Sequence, residues 1–355
     1  MQLQQLGFDA GILSQFQSYA ASGLVPGRVA VAIRDEYRVL AEDGEYHAEP
    51  AGALLYGAAS RADLPAAGDW VALRVIGPGE GIVHAVLPRR TKFSRRAAGT
   101  REDEQVLAAN VDAALIVCGL DGDFNPRRME RYLALANQSG ARPVLVLSKA
   151  DLCADLEDRL AQARAVARGG PVVAISSMTE GGLSPLEPHL DPGRTFVLLG
   201  SSGAGKSTLL NRLLGEERLR TAAVRESDSR GRQTTTHREL IVLSSGAILI
   251  DSPGMREVQL WATHDSLDET FDDIAELARG CRFRDCSHSG EAGCAVQDAL
   301  ESGELDSARW GSYRKLEREI RHHELLADRQ AALAQKQRWK AIHRAVRAHY
   351  KLRGK

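Results

Sequence analysis

The sequence predicts a multidomain fold: a small N-terminal β-barrel, a central α/β domain and a helical C-terminal domain that binds metal. Short alternating strand patterns broken by Gly, Pro and Asp fill residues 27–91, and strands alternate with helices from Gln105 onward. Three cysteines and a histidine then cluster between Cys281 and Cys294. We expect an N-terminal extension, the barrel, the α/β domain and the metal-binding domain at residues 1–26, 27–95, 96–260 and 261–355.

The composition is that of an ordinary globular protein. With 43% hydrophobic and 26% charged residues, the chain of 355 residues is not mainly disordered. No apolar run approaches the ~18 residues of a membrane span, and no basic residue precedes Arg28, so we expect neither a membrane partner nor a signal peptide. Five cysteines, an odd number, favour a reducing compartment, and hence the cytoplasm, over a disulfide framework. We expect a monomer.

Residues 1–26 could form a short docking helix or remain partly ordered. The barrel is predicted from strand patterns at Arg28–Arg34, Tyr37–Leu40, Asp69–Val75 and Gly81–Leu87. About five short strands in this length fit an OB-fold, which is a common RNA-binding barrel; an SH3-sized barrel without a ligand is the alternative. The arginine-rich segment Lys92–Glu104 is expected to be a basic connector.

The α/β domain is predicted from alternating apolar strands and amphipathic helices. The expected strands are Ala113–Cys118, Pro143–Leu147, Val172–Ile175, Thr195–Leu199 and Ala247–Ile250. The expected helices are Arg127–Gln138, Leu152–Arg168 and Lys206–Leu214. This alternation indicates a parallel sheet covered on both faces. After about Leu260 the strand patterns stop.

A phosphate-binding loop lies between the strand ending at Leu199 and the helix beginning at Lys206. Its residues match G-x-x-x-x-G-K-[ST]: Gly200, Ser201, Ser202, Gly203, Ala204, Gly205, Lys206 and Ser207, followed by Thr208. Backbone N–H groups of such a loop cradle phosphates, while Lys206 reaches the β- and γ-phosphates and Ser207 binds Mg²⁺. A Gly/Ser turn that matches by chance is the alternative.

Two later segments complete the phosphate end of the predicted site. Asp251 ends a strand and is expected to hold Mg²⁺ through water, and the N–H of Gly254 would reach the γ-phosphate. Between them and the phosphate loop lies Arg230–His237, in which Thr234, Thr235 or Thr236 could complete the Mg²⁺ shell. We assign that role to Thr235; a polar loop without a ligand role is the alternative.

The segment Ser148-Lys149-Ala150-Asp151 is typical of a loop that reads guanine. The Asp151 carboxylate would accept from the guanine N1–H and N2–H₂ groups, which adenine does not present, and the Lys149 stem would cover the base. Ser176 and Ser177, after the next strand, would contact the other side of the base. Asp151 therefore favours GTP over the alternative of an ATP-dependent P-loop enzyme.

The base-reading segments precede the phosphate loop, whereas an ordinary GTPase has the opposite order. Every segment still follows a strand, so one circularly permuted sheet can present all of them at one edge. The sequence therefore predicts a circularly permuted α/β P-loop GTPase domain that binds GTP and GDP.

The metal-binding prediction rests on Cys281, Cys286, His288 and Cys294. Three thiolates and one imidazole suit a tetrahedral structural Zn²⁺, one per chain; buried cysteines with a surface histidine are the alternative. Cys118 and Cys153 are expected to be packing residues.

The C-terminal tail is strongly basic. Residues 329–355 contain nine Lys and Arg and no Asp or Glu. Because the whole chain has a net charge of −1, the residues before this tail have a net charge of −10. This asymmetry indicates a polyanionic partner, with nucleic acid favoured. An apolar stripe at Trp339, Ile342, Val346 and Tyr350 leaves open a helix that packs on the metal-binding domain with a solvated basic face.

These segments together resemble the ribosome small subunit-dependent GTPase A family. The resemblance covers nearly the whole chain, including the permuted order, the zinc cluster and the stretches Gly68–Val71, Ala109–Asp112, Gly231–Leu240 and Asp251–Arg256. It implies an OB domain, a permuted GTPase domain and a zinc domain. It also implies binding to 16S rRNA in the 30S ribosomal subunit, a role in late maturation of that subunit, and GTP hydrolysis stimulated by it.

Two residues bear on the chemistry. The family usually has a proposed catalytic histidine where this chain has Gln233, and Met255 follows Gly254 where Ras-like enzymes place a water-orienting glutamine. We expect Gln233 to position the attacking water, with Lys206 and Thr235 as its catalytic partners; a solvent-facing loop residue is the alternative. An RNA-binding assembly checkpoint, in which GTP is mainly a conformational ligand, is the alternative function.

Overall fold

The computed structural model describes residues 2–96, 104–215, 238–251, 264–322 and Leu325. The chain divides into two compact units, Met1–Leu260 and Trp261–Lys355. In the described ranges, no helix combines the length and the apolar character needed to cross a membrane.

The N-terminal extension forms a docking helix. A 3₁₀ turn (Leu3–Leu6) leads into α1 (Ala10–Ala20), whose N-terminus is capped by Asp9, with its carboxylate accepting from the Ile12 N–H at 3.0 Å. Leu6, Ile12 and Phe16 are buried in one cluster with Trp70, which belongs to the barrel. Burial of this apolar face explains why the segment is ordered.

A closed five-stranded barrel follows in the first unit. Its strands are β1 (Val25–Ile33), β2 (Glu36–Ala41), β3 (Gly44–Pro50), β4 (Trp70–Gly77) and β5 (Glu80–Val86), and a short helix, α2 (Gly52–Gly57), follows β3. The strands join in the order β1-β2-β3-β5-β4-β1, with β3 and β5 parallel and the other pairs antiparallel. Alternate residues such as Val29, Val39 and Leu73 fill the interior. The predicted OB-like barrel is confirmed.

The prediction of a basic connector at Lys92–Glu104 is wrong at both ends of that segment. Strands β6 (Lys92–Arg96) and β7 (Glu104–Ala109) pair as an antiparallel two-stranded sheet. Phe93 is buried and Lys92 is exposed, so the strand alternates between core and solvent, and its many arginines hide that pattern in the sequence. Residues 97–103 lie outside the described ranges.

The α/β part follows the predicted rhythm. Its strands are β8 (Ala113–Gly119), β9 (Arg142–Ser148), β10 (Val172–Ala174), β11 (Thr195–Leu199), β12 (Glu239–Val242) and β13 (Ile248–Asp251). They lie in the order β10-β9-β8-β11-β13-β12, and β12 alone among them is antiparallel to its neighbour. The larger helices are α3 (Pro126–Ser139), α4 (Leu156–Ala167) and α5 (Lys206–Leu214).

The barrel and the α/β sheet are hydrogen-bonded to each other. Strand β12 pairs with β1 through Val31 and Glu239, and the Arg38 guanidinium lies 2.6 Å from the Glu239 carboxylate. The two sheets therefore form one continuous eleven-stranded array.

A buried arginine strengthens this junction. Arg28 donates to Thr195 Oγ1 at 2.7 Å, to the Asn110 carbonyl at 3.3 Å and to the Gly68 carbonyl at 3.4 Å, and it also donates to the Leu6 carbonyl. Burial lowers the pKa of Arg28 to about 10. One side chain thus joins the extension, the barrel and the α/β sheet.

The second unit is helical. It contains α6 (His264–Thr270), α7 (Asp272–Arg279), α8 (Ala295–Ser302) and a helix at residues 307–322. Phe271, Ile274, Val296 and Ile320 lie in its core. The predicted apolar stripe from Trp339 to Tyr350 lies outside the described residues.

Candidate functional site

The phosphate loop connects the end of β11 to the start of α5. Gly200 passes so close to the neighbouring strand that a Cβ atom there would lie 2.2 Å from the Val117 carbonyl oxygen, and Gly205 has a φ of 91°. Both positions therefore require glycine. Lys206 is 7% exposed, and its ammonium group donates to the carbonyl of Gly200 at 2.7 Å and to that of Ser201. The loop is curled around a buried cation at the N-terminus of a helix, which suits an anionic ligand.

The predicted base-reading loop touches the phosphate loop directly. Ser148 is buried at the end of β9, and its hydroxyl donates to the Ala204 carbonyl at 2.6 Å. The same hydroxyl lies 3.3 Å from the Cys118 carbonyl at the end of β8. This serine thus joins the ends of β8 and β9 to the phosphate loop that follows β11.

Asp151 is oriented by the next loop of the sheet. The Ser176 hydroxyl donates to Asp151 Oδ1 at 2.6 Å, and the Ala150 N–H donates to the Ile175 carbonyl at 3.1 Å. Ser177 follows at the same edge and is half-buried. The Asp151 carboxylate is thus held against the loop of Ser176 and Ser177. The sequence analysis placed that loop on the other side of the guanine base.

Two carboxylates at this edge were missed by the sequence analysis. Asp121 pairs with the Lys149 ammonium group, and that hydrogen bond holds the pKa of Asp121 below its usual range. Asp123 accepts from the Ser201 hydroxyl and pairs with Arg128. Both lie in the loop after β8, at the same edge as the other loops, but neither follows the strand directly, so no local pattern in the sequence marks them.

Part of the predicted phosphate end lies outside the described residues. Asp251 ends β13 and is half-buried, and Ser207 and Thr208 begin α5 after β11, the neighbour of β13. Gln233, Thr234, Thr235, Thr236 and Gly254 fall in ranges that the structure does not describe. The described strand ends, at Gly119, Ser148, Ala174, Leu199 and Asp251, all lie at one edge because the strands are parallel.

The four predicted metal ligands form a compact cluster in the second unit. One ligand atom from each of Cys281, Cys286, His288 and Cys294 lies within 4.8 Å of every other. The two sulfurs of Cys281 and Cys294 are 3.9 Å apart, and His288 Nδ1 lies 3.5 Å and 3.4 Å from them. A tetrahedral zinc site has ligand separations of ~3.8 Å between sulfurs and ~3.5 Å between sulfur and nitrogen. The donor set and its spacing fit Zn²⁺.

The loop that carries these ligands is held by its own hydrogen bonds. The Gln297 amide donates to the His288 carbonyl at 2.6 Å, and Glu291 accepts from the N–H groups of Ser287 and Ser289 at 2.9 Å and 2.7 Å. The hydrogen bond from the Ser287 hydroxyl contributes most to lowering the pKa of Glu291 to about 2. The imidazole of His288 also packs edge-on against Trp310.

The fold and the order of these loops define a circularly permuted P-loop GTPase. A sequence model described as RsgA GTPase matches residues 86–261. A curated relative from Opitutus terrae, named small ribosomal subunit biogenesis GTPase RsgA, is 48% identical over 365 aligned positions and covers all of both chains. A relative of the same name from Xanthomonas axonopodis pv. citri is 52% identical over 72% of this chain and 69% of its own length. The chain belongs to the RsgA GTPase family and is a GTP-hydrolysing enzyme.

Solved structures agree on the fold. The crystal structure of YjeQ from Thermotoga maritima matches with a TM-score of 0.64 at 24% identity, over 84% of this chain and 98% of that one. YloQ, described as a circularly permuted GTPase, matches with a TM-score of 0.61 at 26% identity, over 84% of this chain and 96% of its own. The predicted permutation is thereby confirmed.

Proposed function

We propose that this GTPase acts in late maturation of the small (30S) ribosomal subunit, where it binds 16S rRNA and hydrolyses GTP to GDP and phosphate. The convergence of a phosphate loop and a base-reading loop, joined by the hydrogen bond from Ser148 to Ala204, carries the nucleotide part of the proposal. The full-length similarity to relatives named for biogenesis of this subunit supports the ribosomal part. Such a role takes place in the cytoplasm.

The phosphates are proposed to lie over residues Gly200 to Thr208. Lys206 neutralises charge on the β- and γ-phosphates, and the Ser207 hydroxyl, the Asp251 carboxylate and Thr235 hold Mg²⁺. Bound Mg²⁺ supplies positive charge to the phosphate oxygens of GTP. Gly254 is proposed to donate its N–H to the γ-phosphate, which would stabilise the charge that develops there during hydrolysis.

The guanine base is proposed to lie against the Asp151 carboxylate, beside the loop of Ser176 and Ser177. The hydrogen bond from Ser176 fixes one oxygen of the Asp151 carboxylate, which limits the rotation of that group and favours bidentate contact with guanine. Lys149 covers the face of the base with its alkyl stem.

Gln233 is proposed to position the attacking water. Its amide can accept from water and donate to the γ-phosphate, whereas the side chain of Met255 has no donor and only a weakly accepting sulfur. We expect Gln233→Ala to lower subunit-stimulated turnover by roughly ten- to a thousandfold, about 1.4–4 kcal/mol of barrier, with GTP affinity little changed. Wild-type turnover in Gln233→Ala would mean that another group positions the attacking water.

The decisive experiment for the ribosomal proposal is GTP turnover of the full chain with and without purified 30S subunits. We expect strong stimulation by 30S subunits, little by 50S subunits, and none in Lys206→Ala. Equal rates with and without 30S subunits would contradict the proposed role.

The second unit offers features that suit RNA. Phe283, in the metal-binding loop, is 47% exposed, and the Arg282 guanidinium lies 5.5 Å from the centre of its ring. Arg284 is also exposed. An exposed aromatic ring between arginines can stack on an unpaired base while the cations contact phosphates. We propose that this loop, held by a structural Zn²⁺, and the basic tail contact 16S rRNA.

The alternative function, an RNA-binding checkpoint in which GTP mainly sets conformation, is favoured by one observation. Strand β12 begins two residues after the segment Arg230–His237, which is predicted to supply a Mg²⁺ ligand, and pairs with barrel strand β1. A change in that segment would therefore reach the barrel through backbone hydrogen bonds. Subunit-stimulated turnover separates this alternative from the leading proposal.

A further inference from the structure

The loop between β8 and α3, residues 120–125, lies at the edge of the sheet where the base-reading loop and the phosphate loop meet. Its first residue, Leu120, is buried, and the Leu120 N–H donates to the Ser148 carbonyl at 2.9 Å. Phe124 packs against the same apolar core as Leu120, and Asn125 caps the N-terminus of α3. The loop is thus anchored at both ends, and none of the motifs assigned to the nucleotide lies in it.

The Asp121 carboxylate in this loop is held at one oxygen and paired at the other. Asp121 Oδ1 accepts from the Asp123 N–H at 3.3 Å, and Asp121 Oδ2 pairs with the Lys149 ammonium group. A Cβ atom on Gly119 would lie 2.6 Å from Asp121 Oδ1, so the carboxylate occupies space that glycine leaves free at the end of β8. The local backbone therefore directs this negative charge towards the base-reading loop.

Lys149 passes beside the phosphate loop to reach Asp121. Its backbone is left-handed, with a φ of 61°, which a lysine rarely adopts. A Cβ atom on Gly205 would lie 4.0 Å from Lys149 Cε, so the lysine stem runs alongside the phosphate loop. This stem is the group proposed to cover the guanine base. Pairing at its tip removes rotamers that would swing the stem away, so less ordering is left for the nucleotide to impose.

Asp123 makes the corresponding contact with the phosphate loop. Asp123 Oδ2 accepts from the Ser201 hydroxyl, and Asp123 Oδ1 pairs with Arg128 on α3. The Ser201 carbonyl in turn accepts from the Lys206 ammonium group. Asp123 therefore holds the residue whose carbonyl directs the lysine assigned to the β- and γ-phosphates. Arg128 balances the charge of Asp123, so the support adds no net negative charge beside the phosphate loop.

We propose that this loop is a further element of the nucleotide site and that Asp121 and Asp123 are its positioning residues, a role that rests on the proposed placement of GTP. Each carboxylate acts through another residue: Asp121 through the Lys149 stem, and Asp123 through Ser201 on Lys206. Contact between the stem and the base is the same before and during hydrolysis, so Asp121 affects nucleotide affinity. Lys206 faces phosphate charge that shifts during hydrolysis, so Asp123 affects turnover.

The first test measures GDP affinity of the full chain by titration calorimetry. We expect Asp121→Asn to weaken binding roughly three- to tenfold, and Lys149→Met, which keeps a stem without the ammonium group, to weaken it at least as much. In the double variant the two effects should not add, because the second substitution removes a contact that is already lost. Asp158→Asn, an exposed carboxylate on α4, is the matched control and should bind GDP like the wild type.

The second test measures GTP turnover of the full chain without ribosomal subunits. We expect Asp123→Ala to lower kcat roughly three- to thirtyfold and to leave KM little changed. Asp123→Asn keeps an oxygen that can accept from the Ser201 hydroxyl, so it should recover most of the lost turnover. Thermal unfolding of each variant, compared with Asp158→Asn, separates positioning from loss of the fold.

Each carboxylate has its own contradicting result. Wild-type GDP affinity in Asp121→Asn, with weaker binding in Lys149→Met, would remove Asp121 from the site, and tighter binding would make it a competitor of the nucleotide for the lysine. Wild-type kcat in Asp123→Ala would remove Asp123. Unchanged affinity in both Lys149→Met and Asp151→Asn would overturn the proposed base site together with the role of Asp121. The 30S-stimulated turnover is a separate measurement, so failure here leaves the ribosomal proposal standing.

Discussion

Ser148 shows how a single hydroxyl can join two loops of a nucleotide site. Its hydrogen bond to the Ala204 carbonyl is buried and 2.6 Å long, so it connects the loop proposed for the base with the loop proposed for the phosphates. A net contribution of about 1 kcal/mol is typical of such a bond, and the carbonyl left without it would be buried. The order of the site therefore depends on this residue.

We expect Ser148→Ala to weaken GTP binding by roughly three- to tenfold, because the two loops lose their shared hydrogen bond. Titration calorimetry with GTP measures this directly. Ser18→Ala, an exposed serine on α1, is the matched control and should bind like the wild type. Equal affinity in both variants would show that the hydrogen bond does not organise the site.

The carboxylate of Asp151 tests the proposed base specificity. Asp151→Asn exchanges an acceptor for a donor, so we expect affinity to move from guanine towards xanthine nucleotides, roughly ten- to a hundredfold in each direction. Competition between GTP and xanthosine triphosphate measures the change. Unaltered GTP affinity would remove Asp151 from the base site.

Residues with fixed spacing could be predicted, whereas residues joined only by the fold could not. Gly200 to Ser207 follow a known pattern in the sequence, and the four zinc ligands fall within fourteen positions. Asp121 and Asp123 have no such spacing relation to Lys149 and Ser201, which they contact. Only the parallel sheet brings these strand ends together.

At the scale of elements, strands that are buried on both faces were easiest to predict. Strand β8 is buried at all seven positions and forms a continuous apolar run in the sequence. Strand β3 buries only Tyr46 and Ala48 among charged neighbours, so its pattern did not stand out. The pairing of β6 with β7 depends on contacts between residues on either side of residues 97–103. The periodicity of a sequence carries no information about such contacts.

The helices of the second unit are expected to depend on metal. Cys281 and Cys286 lie in the loop between α7 and α8, and Cys294 occupies the N-cap position of α8, so metal binding would connect the two helices. We expect one zinc per chain, and we expect Cys286→Ser to speed hydrogen exchange across residues 264–322 at least tenfold while exchange in the barrel is unchanged. Elemental analysis and exchange mass spectrometry measure these. A folded second unit in zinc-free protein would contradict the structural role.

At the scale of the whole molecule, Arg28 couples parts that are far apart in sequence. Replacing it with Met leaves the Leu6, Gly68 and Asn110 carbonyls without their charged donor inside the protein. We expect Arg28→Met to lower the free energy of unfolding of the first unit by about 3 kcal/mol or more. Urea unfolding measures it, and Arg74→Met, an exposed arginine on β4, should change stability by less than about 0.5 kcal/mol.

The basic tail is expected to contribute electrostatic affinity without affecting chemistry. Deleting residues 329–355 removes nine cations, so we expect weaker 30S binding and a shallower dependence of the binding constant on salt. The slope of log K against log salt concentration should fall by roughly 0.7–0.9 for each phosphate that the shortened chain no longer neutralises. Basal GTP turnover should be unchanged, because the proposed nucleotide residues all precede the tail. An unchanged slope would favour a helix that packs on the zinc-binding domain with a solvated face.

The pairing of β12 with β1 limits how this protein can be divided. A shortened version beginning at residue 96 would leave β12 as an exposed edge strand, with the hydrogen-bonding groups that face Val31 open to solvent. It would also leave Thr195 and the Asn110 carbonyl without Arg28. Such a fragment has the features of an aggregation-prone protein. The barrel therefore protects the GTPase sheet as a covering strand does, and the two are best produced, stored and engineered as one piece.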